Sequence, residues 1–387
     1  MNAAAARDAA GWPDFAARLI AWQKRAGRHA LPWQQTRDAY RIWLSEIMLQ
    51  QTQVSAVLGY YVRFLEAFPT VRELAAASGD QVMALWAGLG YYSRTRNLHR
   101  CAQLVVERHG GVFPDDPEAL AALPGIGRST AAAIAAFAYG RRAAILDGNV
   151  KRVLARAFGI AGDPMRKDVE NRMWALAEAL LPERGEGIEA YTQGLMDLGS
   201  GVCRRGKPGC LEDAALCPFS ARCVALAEGR TAELPTPKAH KAKPQRQTLM
   251  LILRRGGRLL LEKRPPTGIW GGLWSLPQLD ASDVAEWTTA DKDGQAALDG
   301  MATYADPAWL DAAARFGRVL QSRTLPEFEH VFTHFQLRVL PLLVELDAKA
   351  DVPLAASGDA QRAWMGRQEI AGVGLPAPVA KLLDTIN

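Results

Sequence analysis

The feature that most constrains this chain is a change of hydrophobic rhythm across one basic, proline-rich stretch. Between Gly229 and Gln247, Pro235, Pro237 and Pro244 alternate with Lys238, Lys241, Lys243 and Arg246, and few apolar residues are available to bury. Such a composition predicts an extended interdomain linker. Before it, from residue 12 to 228, apolar residues recur at helical spacing, as in Phe15, Leu19 and Trp22, or Leu85, Trp86 and Leu89. Turn signals at Phe68-Pro69-Thr70, Phe113-Pro114-Asp115, Pro124-Gly125-Ile126-Gly127 and Gly162-Asp163-Pro164 separate these helices. After the linker the period becomes that of strands. Leu249-Met250-Leu251-Ile252-Leu253, a Gly256-Gly257 turn and Leu259-Leu260-Leu261 predict a hairpin. Phe328 to Phe332 and Leu337 to Val344 predict further strands, and Pro378 to Ile386 a closing helix; Asp280 to Arg315 carries no readable pattern. A chain of 387 residues exceeds one ordinary core. The expected organisation is an all-α domain over 1–228, a linker over 229–247 and an α+β domain over 248–387.

Charge and cysteine usage narrow the setting. The 46 Lys+Arg against 41 Asp+Glu leave +5, an excess that permits a polyanionic partner without requiring one. The longest apolar run, Ala131 to Tyr139, falls well short of the ~20 residues of a membrane span. Arg7, Asp8 and Asp14 interrupt the Ala-rich N-terminus, so no signal-peptide core is read there, and a soluble cytoplasmic protein is expected, as a monomer. In that reducing compartment cysteines more often bind metal or stay reduced than form disulfides. Cys203, Cys210, Cys217 and Cys223 fall close together, with spacing C-x6-C-x6-C-x5-C, while Cys101 stands apart on a predicted helix. Four thiolates can hold zinc or an iron–sulfur cluster, and the short C-x2-C pairs usual for zinc are missing.

Three segments carry chemistry. Leu123-Pro124-Gly125-Ile126-Gly127-Arg128-Ser129-Thr130 precedes an Ala-rich helix, and its two glycines make a tight hairpin whose following amides lack intrahelical partners. A helix start of this kind suits phosphate, though an ordinary helix–helix turn reads the same way. Glu46 lies between Ile42-Trp43-Leu44 and Ile47-Met48-Leu49. A carboxyl so surrounded is desolvated and raised in pKa if it faces inward, or sits on the one wet face of its helix. Asp147 precedes Gly148-Asn149 at a predicted helix start, where an N-cap is the simplest role.

Taken in order, these motifs resemble the helix-hairpin-helix DNA glycosylase superfamily, and within it the MutY-type adenine DNA glycosylases. The resemblance spans nearly the whole chain. It includes Leu31-Pro32-Trp33, the run from Ser45 to Val54, Gly88 to His99, the hairpin, Leu146 to Arg156, Met196 to Gly199, the cysteines, and Arg264 to Trp274. It implies a six-helix barrel module with an iron–sulfur module, then a nudix-like lesion-recognition domain. It also implies hydrolysis of the N-glycosidic bond of adenine mispaired with 8-oxoguanine or guanine in double-stranded DNA. Glu46 would be the acid that protonates the base and Asp147 the carboxylate that stabilises the sugar cation. Gln50 and Tyr92 match residues that enter the duplex beside the flipped base. Arg28, Trp33, Asn149 and Gln193 match residues near that base or the acids; Gln51, Gly125, Gly127 and Ser129 fall on the DNA-binding motifs.

The same resemblance sets limits. Endonuclease III-type enzymes carry a nucleophilic lysine where this chain has Ser129, so hydrolysis without strand cutting is expected. Lys151, near Asp147 in sequence, is the amine that could trap abasic products adventitiously. The family holds one [4Fe-4S] cluster on C-x6-C-x2-C-x5-C; this chain inserts four residues within Leu211 to Leu216. Arg204, Arg205 and Lys207 in the first cysteine loop are candidate phosphate contacts. The family's Phe-Ser-His lesion loop reads Phe332-Thr333-His334, which keeps a hydroxyl and adds a methyl. The Glu-rich metal signature of nudix hydrolases is absent between Gly268 and Arg315, so nucleotide hydrolysis is not expected. A bifunctional glycosylase/lyase and a lesion-binding protein without turnover are the competing readings, opposed by Ser129 and by the pair of acids.

Overall fold

The computed structural model describes residues 8–183, 185–237, 242–280, 307–348 and 361–386. In the first part the helices are α1 (Phe15–Ala26), α2 (Ala39–Leu49), α3 (Val54–Ala67), α4 (Val71–Ala76), α5 (Gly79–Trp86), α6 (Ser93–His109), α7 (Pro117–Ala121) and α8 (Arg128–Tyr139). They continue with α9 (Gly148–Ala157), α10 (Lys167–Ala179), α11 (Ile188–Asp197) and α12 (Val224–Ala227). Before Gln245 no strand occurs among the described residues, as the helical periodicity predicts.

Two packing devices shape this helical part. Ala131 to Ala136 of α8 are all buried, at 0 to 2% exposure, and their small side chains allow neighbouring helices to approach closely. Phe15, Leu19 and Trp22 of α1 pack with Ala132, Ala136, Val153 and Leu195 in one core, so α8, α9 and α11 converge on the N-terminal helix. Burial of this kind stabilises by roughly 25 cal/mol per Å² of apolar surface.

The second part is a mixed sheet. Strands β1 (Gln245–Arg255), β2 (Arg258–Lys263), β3 (Trp274–Ser275), β4 (Gln278–Asp280), β5 (Val319–Thr324), β6 (Phe328–Val331), β7 (Gln336–Leu346) and β8 (Arg362–Met365) pair in the central order β3-β2-β1-β7-β5. β1 and β7 run parallel, from Gln245 opposite Gln336 to Arg254 opposite Glu345. β1 and β2 form the expected hairpin through Gly256 and Gly257, both left-handed at φ 54° and 76°. The continuous apolar run of β1 has a cause: both faces are covered. Met250 and Ile252 pack on one side with Leu382 and Leu383 of the closing helix. Leu249, Leu251 and Leu253 pack on the other with Ala313, from the helix Pro307–Ala314. The closing helix spans Ala377–Asp384.

The chain forms two compact units, and their composition departs from a simple cut at the linker. One comprises Met1–Ala76 and Arg96–His240; the other comprises Ala77–Thr95 and Lys241–Asn387. Met83 of α5 lies in the same core as Ile252, Trp274 and Phe335, and Lys263 pairs with Asp80 at 2.7 Å. The stretch 229–247 is not extended throughout. Thr231 and Leu234 are buried, Arg156 donates to the Leu234 carbonyl at 2.9 Å, and β1 already begins at Gln245. Residues 238–241, with Lys238 and Lys241, lie outside the described residues. Buried Leu234, between Glu233 and Pro235, helps dock this segment, which proline content alone does not reveal.

A methyl group at Gly374 would stand 2.9 Å from the Met83 carbonyl oxygen. Gly374→Ala should therefore destabilise the second unit by about 1–3 kcal/mol. Urea unfolding measures this, and amide exchange at residues 79–86 should accelerate with it.

Candidate active site

Helix α2 is buried on almost every side. Ile42, Trp43, Leu44, Ile47 and Met48 are at most 2% exposed, and Asp38 caps the helix by accepting the Tyr40 N–H at 2.8 Å. Glu46 faces a cavity of about 530 Å³ that is also lined by Arg28, Trp33, Ser45, Phe137 and Gln193. Burial, and then the nearby charge of Asp147, push the Glu46 carboxyl up to about 8. It is a protonated acid at neutral pH.

Asp147 has the opposite surroundings. It caps α9, its Oδ1 accepting from Asn149 N at 2.9 Å and Val150 N at 2.8 Å, while Oδ2 accepts from Asn149 Nδ2 at 3.2 Å. Burial raises its pKa; the Val150 and Asn149 amides, the Asn149 side chain and the charge of Arg152 oppose that rise. These hydrogen bonds favour the charged form of Asp147 against the burial that raises it. Arg152 holds the arrangement from behind, donating to Asn149 Oδ1 at 2.7 Å and to the Cys203 carbonyl at 2.7 Å. Gly199 must lack a side chain here, since a Cβ would stand 2.6 Å from that of Asn149. The N-cap reading of Asp147 is thus correct, and the donors of the cap oppose the rise that burial imposes on its carboxyl.

The hairpin adjoins this pair. Gly125 is left-handed at φ 77°, and a Cβ there would lie 2.8 Å from that of Asn97. Gly127 precedes α8 with no side-chain cap and open space beside it, leaving the first amides of α8 exposed to an anion. Gln50 reaches the hairpin through Thr130 Oγ1 at 3.5 Å, and Gln51 is exposed with φ 58°, a conformation few non-glycine residues adopt. Ser129 has a structural duty: its hydroxyl accepts the Leu146 N–H at 2.9 Å, one residue before Asp147. Lys151 is bound to Glu170 at 2.8 Å and to the Pro164 carbonyl at 3.3 Å.

The other expected residues divide. Arg28, Trp33 and Gln193 all line the cavity with Glu46. Trp33 is buried edge-on against Tyr61, with ring centroids 5.3 Å apart. Tyr92 is packed against the core of the second unit, and its hydroxyl accepts the Gly88 N–H at 3.3 Å. Its neighbour Tyr91, which sequence reading passed over, is 43% exposed at φ 51°. Two adjacent tyrosines give no sequence signal for which faces out. Within that unit the Tyr91 and Thr333 hydroxyls are 3.3 Å apart. Thr333 and His334 stand exposed at the turn between β6 and β7, closed by Phe332 N–H to Phe335 O at 2.9 Å, and Phe332 stacks on Phe335 with centroids 4.4 Å apart.

The four clustered cysteines come together. Burial and the other three thiols push Cys217 up to about 12, and burial likewise raises Cys210 and Cys223. Among the described residues, no three Cys, His, Asp or Glu groups are placed to hold a single metal ion. Zinc would need sulfurs only ~3.8 Å apart, given bonds of about 2.3 Å. A multi-iron cage spaces its thiolates more widely, and a buried tetrathiolate requires bound cations for its charge. Four thiols on one loop are a donor set that an iron–sulfur cluster or zinc can use. The inserted segment docks through the Leu216 carbonyl on Trp22 Nε1 at 2.9 Å, and its Glu212 pairs with Lys207 at 3.1 Å. Cys101 is fully buried.

Glu46 on the cavity wall, and Asp147 near enough for its charge to act on Glu46, are two carboxyls of the kind that hydrolysis of a glycosidic bond can use. Residues 44–179 match the HhH-GPD superfamily of base excision DNA repair proteins, and residues 248–385 match the NUDIX domain family. The adenine DNA glycosylase of Buchnera aphidicola (Acyrthosiphon pisum) is 32% identical over 373 residues, covering 96% of this chain and 97% of that protein. The chain belongs to the adenine DNA glycosylase family. The human adenine DNA glycosylase is 31% identical over 431 residues, covering 97% of this chain and 74% of its own length. A solved thermostable thymine-DNA glycosylase is 28% identical, with a TM-score of 0.49, covering 56% of this chain and 96% of its own. As a family member the chain is a base excision repair glycosylase, with a helical domain followed by a nudix-like one. Among the described residues no helix is long and apolar enough to cross a membrane.

The raised Glu46 has a consequence for stability as well as chemistry. Its ordinary value is 4.5 and its folded value about 8, so folding binds a proton between them. The wild type therefore loses stability relative to Glu46→Gln as pH rises from about 4.5 to 8, and the melting-temperature gap should open across that window. Single-turnover activity should fall above pH 8 as Glu46 ionises, and fall at low pH as Asp147, raised above 3.8, takes a proton.

Proposed function

We propose that this enzyme hydrolyses the N-glycosidic bond of adenine mispaired with 8-oxoguanine or guanine in double-stranded DNA. The observation that carries this reading is a pair of neighbouring buried acids in different settings: Glu46 on the cavity wall, its carboxyl pushed up to about 8, and Asp147 accepting three hydrogen bonds at its cap, which favour the charged form against burial. The adenine leaves its stack and enters the cavity against Trp33, Arg28 and Gln193. Glu46 gives its proton to N7; the C1′–N9 bond breaks, and its electron pair departs with the neutral base. The Asp147 carboxylate stabilises the oxocarbenium-like sugar. Water adds at C1′ and returns a proton to Glu46, completing the cycle. Ser129, occupied with the Leu146 amide, offers no amine, so no Schiff base forms.

The uncapped start of α8, with Gly125 and Gly127, would take a backbone phosphate, and Gln50 and Gln51 stand beside it. The exposed ring suited to enter the duplex is that of Tyr91, since Tyr92 is committed to packing. Thr333 and His334 would read the base opposite the adenine. Cys203, Cys210, Cys217 and Cys223 would hold one [4Fe-4S] cluster, which when bound would cross-link the loop from Cys203 to Cys223 by thiolate–iron bonds and supply countercharge.

Duplexes with adenine opposite 8-oxoguanine, treated with alkali after a single turnover, test the reaction. The wild type should release adenine; Glu46→Gln should lose about 10²–10⁴-fold or more in rate while still binding the duplex. Borohydride should trap little protein, and efficient trapping would favour a lyase. Removal of oxidised pyrimidines with adenine left intact would overturn the assignment. The purified protein should absorb broadly near ~400 nm and lose that band on iron chelation; a colourless zinc protein would sink the cofactor reading.

A further inference from the structure

Asp197, the last residue of α11, is buried at 5% exposure and does not itself line the base cavity. Its carboxylate nevertheless accepts three hydrogen bonds from two residues that do. Oδ2 takes the Arg28 N–H at 2.9 Å; Oδ1 takes Arg28 Nε at 2.7 Å and Gln193 Nε2 at 2.8 Å. Arg28 Nη2 is held in turn by Ser200 Oγ at 3.2 Å. The approach is close enough to demand glycine before Arg28. A Cβ on Gly27 would stand 3.0 Å from Asp197 Oδ2 and 2.6 Å from the Gln23 carbonyl.

A carboxylate only accepts, so Gln193 must turn its NH₂ toward Asp197. The flipped amide would set two oxygens against each other at the same 2.8 Å. The end of the Gln193 amide left for the cavity is therefore its carbonyl, an acceptor. Arg28 can only donate, and the same carboxylate fixes its plane. The cavity thus offers an acceptor and a donor whose roles cannot be exchanged. Adenine carries the complementary pair, an amine at C6 beside an acceptor at N1. A 6-oxopurine carries the reverse, an oxygen at C6 beside N1–H.

We infer that Asp197 is a positioning residue that sets the hydrogen-bond polarity of the base cavity through Gln193 and Arg28, selecting a 6-aminopurine over a 6-oxopurine. The inference deepens the adenine-excision reading above and rests on it. A purely structural Asp197 would hold α11 to the loop before Trp33 and affect all bases alike.

The test uses the full-length protein and duplexes carrying 8-oxoguanine opposite either adenine or hypoxanthine, read as single-turnover rates. The wild type should strongly prefer adenine. In Asp197→Asn the side chain keeps its size but gains a donor and frees the Gln193 amide to turn. The adenine rate should fall about 10- to 100-fold, and the adenine-over-hypoxanthine ratio by about tenfold or more, as expected where a site built to hydrogen-bond one group loses its orientation. Gln193→Met leaves the Asp197–Arg28 pair intact and should collapse the same ratio, which keeps the inference exposed if Asp197→Asn fails to fold. In the double variant the two losses of discrimination should not add. Equal slowing on both bases in Asp197→Asn, an unchanged ratio in Gln193→Met, or additive losses would each overturn the role given to Asp197. A wild type that releases adenine with preference separates those outcomes from failure of the activity itself. A wild type that releases neither base overturns the adenine reading and this inference with it.

Discussion

The cap on α9 is the interaction on which the site depends. By giving Asp147 two backbone N–H groups and one amide, it favours the charged form of one of two neighbouring acids against burial. Glu46 then meets burial and a negative neighbour together, and both keep its proton on. Without the cap the two carboxyls would compete for one proton in the same dry space, and neither role would be assigned. A feature that usually just ends a helix neatly here gives two neighbouring carboxyls different surroundings.

Support for that cap reaches outward in a connected sequence of contacts. Asn149 donates to Asp147, Arg152 orients Asn149, and Arg152 is itself held by the Cys203 carbonyl at the start of the cysteine loop. Ser129 anchors the residue before Asp147 from the hairpin side. The Asp147 carboxylate is therefore fixed from the hairpin and from the cysteine loop at once, the two parts of the helical unit with the most distinctive sequence. Positioning of this kind, by packed and hydrogen-bonded neighbours, is what keeps a reactive constellation within its working geometry.

Much of this was legible because the physics is local. The helical period of Phe15, Leu19 and Trp22 and the double-sided apolar run of β1 report their own burial, so element types were read correctly in both halves. The Gly256-Gly257 turn announced itself through residues that accept left-handed backbone without steric cost. Glu46 and Asp147 could be picked out, yet by pattern each remained ambiguous, because desolvation is a property of what the rest of the chain packs around a residue. The short strands Trp274–Ser275, Gln278–Asp280 and Arg362–Met365 were missed, being too short to show a period. Which of Tyr91 and Tyr92 faces outward depends on a backbone twist at Tyr91, and the part played by Asp197 on a partner 169 residues away. Neither has a signature within its own neighbourhood.

The grouping of Ala77–Thr95 with the sheet-containing unit bears on how the protein is made. A chain emerging from the ribosome at about 5–20 residues per second presents α5 and its Met83 on the order of ten seconds before the sheet that buries them exists. During that interval the helical unit has its own core available, while this insert waits without a partner. The C-terminal unit, though nearly contiguous in sequence, cannot complete itself from its own end of the chain. Fragments cut at the linker would separate residues that fold together, and the order of synthesis makes the last strands the ones that finish an element begun near the first.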